Sequence, residues 1–146
     1  MAAAERSEVI DIPLQKFFDV VRDFSRYPEF VSTVKKTEVL AKDGPKSKVL
    51  FDIELMKRLE YSINLVEEND PEWKSAKISW TLADSKFFKV NNGLWSLKAL
   101  GPDKTEVLYR LELEFTFSVP GFILKTLVAG ALPKAIHEFV DRARKT

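Results

Sequence analysis

The 146 residues suffice for one ordinary domain, which hides about 70% of its unfolded surface, so a substantial core is within reach. Hydrophobic residues make up 45% and charged residues 31%, a globular mixture and not a disordered one. The 23 basic and 22 acidic residues leave a net charge of +1, cysteine is absent and His137 is the sole histidine, which excludes disulfides, thiolate chemistry and multi-histidine metal centres and gives no basic footprint for nucleic acid.

Residues 5–12, ERSEVIDI, form a short strand-like run ended by Pro13, whose fixed φ suits the first turn of a helix. Phe17, Phe18, Val20, Val21 and Phe24 then recur at helical spacing and predict a helix over about 13–23. Pro28 forbids a long continuation, and Ser25 is placed to cap a second short helix at 26–31. A weaker strand follows at 34–42, where Val39 and Leu40 blur the pattern.

From residue 48 the period is two. Runs at 48–56 and 58–66, with only a residue or so between them, predict a tight hairpin. Further strands are expected at 76–82, 90–100 and 106–117, with Gly93 as a bending point in the fifth of these six runs and a turn at Gly101–Thr105. Such regular alternation belongs to an antiparallel meander with one buried and one wet face. The helical period returns from about 121, where Leu132, Ile136, Phe139, Val140 and Ala143 make one stripe; Pro133 inside it predicts a kink or a broken first segment near 130–133. The two early helices are short, so only the last helix can cover the apolar face, and the sheet must curl around it. A single domain over 1–146 is expected.

Four stretches resemble the START-like, polyketide cyclase/dehydrase superfamily (SRPBCC) with its helix-grip fold. They are PLQKFFDVVRDFSRYPEF (13–30), the meander with GLWSL (93–97), the strand YRLELEF (109–115) and the closing HEFVDRARK (137–145). The nearest likeness is to the coenzyme-Q-binding and ribosome-association-toxin branch. The chain departs from it directly after Phe30, where VSTVK (31–35) replaces a proline, an aromatic and a cysteine. The resemblance implies an α+β fold: a curved antiparallel sheet of about seven strands around a long C-terminal helix, two short helices between the first two strands, and an elongated cavity. It also implies a hydrophobic ligand such as a lipid, quinone or polyketide, with no cofactor. Cyclase/aromatase activity or a protein-interaction role are its other possibilities.

The inward-facing residues expected to line such a cavity are Phe51, Ile53, Tyr61, Ile63, Trp80, Trp95, Tyr109 and Leu111 from the strands, and Leu132 and Ile136 from the last helix. Periodicity alone favours a solid core, and it is the resemblance that implies a real cavity. Tyr27, Phe30, Phe122 and Leu124 are candidates for a lid or gate. No carboxylate points inward on the central strands, His137 sits at the edge of the apolar stripe, and no catalytic or metal-binding residue is assigned. Asn91-Asn92-Gly93 is either a bulge or a polar patch at a cavity mouth. The apolar window 119–132 contains Lys125 and falls short of the roughly 20 residues of a membrane span. It is either the buried start of a helix or a segment (121–132) that touches membranes transiently. With no signal-peptide pattern at the amino end, a cytoplasmic location is expected.

Overall fold

The period-two alternation resolves, in a computed structural model that describes residues 2–146, into one antiparallel sheet of seven strands. In chain order the elements are β1 (Ala2–Ile10), helix α1 (Leu14–Arg22), a 3₁₀ helix (Phe24–Glu29), β2 (Val34–Asp43), β3 (Lys46–Leu55), β4 (Lys57–Asn69), β5 (Ser75–Ser85), β6 (Phe88–Gly101), β7 (Lys104–Phe115) and helix α2 (Gly121–Arg144). Across the sheet the order is β1-β7-β6-β5-β4-β3-β2, so the meander runs from β2 to β7 and β1 closes its far edge. Register shifts between β2 and β3, β4 and β5, and β6 and β7 bend the strands. The sheet curves around α2, which packs against β1, β7 and α1. This is the α+β helix-grip fold.

Several boundaries differ from expectation for identifiable reasons. β1 starts at Ala2 because pairing with β7 begins at Ala2–Leu113, a partner that alanines do not advertise. It ends at Ile10, and the Ile12 carbonyl beyond it takes a 2.7 Å hydrogen bond from the buried Thr105 hydroxyl. Ser25 caps no helix; its hydroxyl bonds the Asp23 carboxylate instead. The corner is tied by Tyr27, whose hydroxyl donates to the Val21 carbonyl. That carbonyl lies in the last turn of α1, where helical partners run out.

α2 continues through Pro133 as one helix, so its first segment is not broken off near 130–133. Proline deprives the Ala129 carbonyl of its helical donor, but Ala129 is exposed and water can serve it. Buried Val128, Leu132 and Ile136 anchor the helix on both sides of the proline.

An aromatic chain crosses the interior. The Trp95 ring lies 5.8 Å from Phe17 and 5.0 Å from Phe139, Phe139 lies 5.0 Å from Tyr27, and Phe51 stacks on Tyr61 at 5.4 Å. Gly93 has a packing role beyond any bend. It pairs with Trp80 on β5 and Leu111 on β7, and a Cβ there would run into the Trp80 indole and the Arg110 carbonyl. The β5–β6 ladder ends at that Trp80–Gly93 pair. Beyond it the Asn92 side chain accepts the Leu82 amide at 3.2 Å, and Ser85 Oγ accepts the amides of Phe87 and Phe88.

Candidate functional site

Between the sheet and α2 lies a cavity of about 170 Å³. The strands supply Phe51, Ile53, Tyr61, Ile63, Trp80, Trp95, Tyr109 and Leu111 to its wall, eight residues assigned there from alternation. Phe88 and Asn91 from β6, Thr33 from the loop before β2, and Leu127, Ala131, Lys134, Ala135 and Glu138 from α2 complete much of the lining. The volume lies near that of the roughly 150 Å³ apolar cavity known to admit benzene, below the ~300–1,000 Å³ of drug-sized pockets.

Leu132 and Ile136 do not line the cavity. Both are buried in the packed core, on the stripe with Leu124, Val128, Phe139 and Val140. The cavity faces the neighbouring row Leu127, Ala131, Lys134 and Glu138, which recurs at spacings of four, three and four. That row is poor in large apolar groups, and of the predicted apolar stripe only Phe139 reaches the cavity among the described residues, so hydrophobic periodicity selects mostly the wrong face. Of the four lid candidates, only Tyr27 reaches the wall. Phe30 lies outside it, packed on Phe139 at 5.0 Å beneath the Arg142 guanidinium. Leu124 is core, whereas Phe122 is 73% exposed.

Polar groups enter the wall at few points. The Trp80 indole N–H donates to Asn91 Oδ1 at 3.3 Å. The Asn91 amide in turn hydrogen-bonds Tyr61 and partly offsets the effect of burial on its phenol. Asn91 is thus a buried wall residue and joins the polar patch that the NNG motif suggested. Tyr109 lies flat against Trp95 at 4.1 Å, and its hydroxyl has no protein hydrogen-bond partner among the described residues. Burial pushes the phenols of Tyr27, Tyr61 and Tyr109 well above their ordinary range, with Tyr109 adding to it for Tyr61 and both Tyr109 and Tyr61 for Tyr27. All three are neutral at physiological pH. Tyr61 and Tyr109 can therefore present hydroxyl groups to an occupant, whereas Tyr27 spends its proton on Val21.

Two carboxylates missed by alternation need placing. Glu67 continues the inward phase of β4 past the expected strand end and is buried, but it pairs with Arg22 at 3.0 Å and Lys42 at 3.5 Å outside the cavity. Glu138 reaches the cavity rim from α2, and its Oε2 accepts the Ser32 amide at 3.0 Å. That bond closes the loop before β2 onto the helix. His137 points away, with Nε2 3.4 Å from the Glu8 carboxylate. No helix among the described residues is long and apolar enough to cross a membrane.

A mostly apolar chamber held between a curled sheet and one long helix defines a START-like helix-grip protein. The chain belongs to the polyketide cyclase / dehydrase and lipid transport family, whose profile matches residues 10–140. It is 27% identical to the ribosome association toxin RatA of Pseudomonas aeruginosa over 137 residues, covering 94% of this chain and 89% of that protein. Among solved structures it resembles the ZhuI aromatase/cyclase of Streptomyces sp. R1128, with a TM-score of 0.81, 12% identity and coverage of 98% and 93% of the two chains. It also resembles the human StAR-related lipid transfer protein 5, with a TM-score of 0.84, 8% identity and coverage of 98% and 76%. At these identities the two structures speak to the fold alone.

Proposed function

We propose that the protein binds and carries a hydrophobic small molecule in the cavity between the sheet and α2. The observation that carries this reading is the cavity itself: an apolar wall interrupted by a few oriented polar groups, the usual construction of a small-molecule site. Burial of apolar ligand surface supplies the affinity at about 25 cal/mol per Å². Among the described lining residues the acids are the phenols and Glu138, whose Oε2 is held by the Ser32 amide, and the single histidine lies elsewhere, which favours binding over acid–base catalysis.

The test is native mass spectrometry of gently purified protein, followed by denaturing release of any bound organic molecule. Wild type is expected to carry a small apolar ligand, and Ala131→Phe, which fills the cavity from α2, to lose it. Wild-type protein that stays empty and takes up no apolar probe would overturn the reading.

One end of the molecule suggests how such a ligand is collected. Met56, Phe122 and Ile123 are exposed there. The Lys57 ammonium sits over the Phe87 and Phe117 rings, and Thr116 bonds the Phe87 and Lys86 carbonyls. These contacts gather two hairpin turns beside the start of α2. An apolar tip with lysines 57, 86 and 125 around it suits transient contact with an anionic bilayer. Flotation with anionic vesicles should retain wild type and release Phe122→Asp; equal behaviour removes this route.

The relative named for ribosome association supports a second reading, an interaction module. It predicts cosedimentation with ribosomal subunits, and its absence at low salt would sink that reading.

A further inference from the structure

The cavity rim on α2 carries charge that apolar ligand binding does not use. Lys134 lines the cavity, is exposed, and makes no ion pair or hydrogen bond among the described residues. Among the described residues the one carboxylate in the cavity lining is Glu138, and its Oε2 is already engaged by the Ser32 amide. Lys134 is therefore the unpartnered cation of the cavity lining among the described residues, beside an acid that is already engaged. The wall inside is apolar except for neutral hydrogen-bonding groups.

We propose that the ligand is a monoanionic amphiphile, with a one- or two-ring apolar body inside the cavity and a carboxylate at the rim against Lys134. This rests on the cavity being a ligand site and names the chemical class that site accepts. A single negative charge matches the one unpartnered ammonium of the lining, whereas a dianionic head such as a phosphate monoester would bring excess like charge to Glu138. The cavity of about 170 Å³ limits the buried body to one or two rings. Lys134 is the specificity determinant because it is the cation free of any partner, and its position on the rim leaves the apolar wall intact.

The test is titration calorimetry of the full chain with 2-naphthoate and with its methyl ester, which share the same body. Wild type is expected to favour the acid, with a preference that falls as salt is raised. Lys134→Met should weaken the acid about fivefold, the size of an exposed ion pair, and leave the ester unchanged. Lys134→Arg should restore the acid. Ester and acid binding equally well, or weakening together in Lys134→Met, would overturn the carboxylate assignment and leave the hydrophobic-ligand reading standing. Binding of neither probe to wild type would overturn both.

Discussion

Adding one methyl group at two glycines should move stability in opposite directions. At Gly93 a new Cβ would lie 2.5 Å from the Arg110 carbonyl and closer still to the Trp80 ring, well inside van der Waals contact. Side-chain atoms can yield, but that carbonyl belongs to β7 in the middle of the β6–β7 ladder, where Gly93 faces Leu111. The cost therefore lies at the upper end of overpacking, about 3 kcal/mol, or about 10 °C in Tm for a chain of this length. At Gly130 the same methyl meets nothing within 4 Å. It is an exposed position inside α2, so Gly130→Ala should stabilise by about 0.5–1 kcal/mol through helix propensity and reduced unfolded-state entropy. Thermal and urea unfolding followed by circular dichroism measures both. Adding Gly93→Ala to a Trp80→Leu background separates the two obstacles: any cost that persists there belongs to the Arg110 carbonyl. If Gly93→Ala falls within about 0.5 kcal/mol of wild type, the close-packing account of Gly93 is wrong.

Alkaline pH should unfold the protein in a tyrosine-coupled step. All three tyrosines of the chain have folded-state pKa values raised by burial, so their contribution is complete below about pH 10 and is lost as pH climbs toward the folded-state values. The unfolded state binds fewer protons in that window, so stability falls by up to about 1.4 kcal/mol per pH unit for each tyrosine. Phenolate absorbance should appear only with loss of near-ultraviolet circular dichroism; phenolate forming near pH 10 in protein that is still native refutes it. Pro133→Ala should raise stability by about 1 kcal/mol, less than the full ~3 kcal/mol helix penalty of proline, because the Ala129 carbonyl is exposed and the proline ring half-buried. A lower urea midpoint would show that packing of the ring outweighs the missing hydrogen bond. Glu67→Gln should cost about 1–2 kcal/mol, since it strips a buried acceptor from Arg22 and Lys42, both free to hydrate; an unchanged unfolding midpoint would make the cluster irrelevant to stability.

The side of each strand was legible because burial of one sheet face imposes a strict period of two. Val49, Phe51 and Ile53 on β3, and Leu59, Ile63 and Leu65 on β4, are buried as their phase requires. The phase says nothing about fill, so alternation could not separate a cavity from a solid core. Extents were less legible than phases. β1 begins in alanines whose strand state depends on β7, and β4 runs on to Asn69 through a buried Glu67 that composition alone places in solvent. The Asn91-Asn92-Gly93 motif had two legible meanings, a bulge or a polar patch, and its unshifted pairing with Leu113, Glu112 and Leu111 removes the bulge. Asn92 serves the amide of Leu82 where the β5–β6 ladder stops, and Asn91 lines the cavity.

The error on α2 explains why a cavity exists at all. Its most apolar stripe, through Val128, Leu132 and Ile136, is spent on tight packing and is nearly inaccessible. The row beside it turns Ala131 and Ala135 toward a wall of Trp80, Trp95 and Tyr109. Large rings on the sheet meet methyl groups on the helix, and the helix cannot approach further because its other stripe is already seated on β1, β7 and α1. The void is thus what remains when one helix is docked by one face and lined with small residues on the next. It follows that cavity size can be tuned at Ala131 and Ala135 with little effect on the fold, while changes at Leu132 or Ile136 act on stability. Leu132→Ala should cost about 2–5 kcal/mol as a core truncation. If it instead enlarges the ligand range at little cost in stability, the division of α2 into a docking face and a cavity face is wrong.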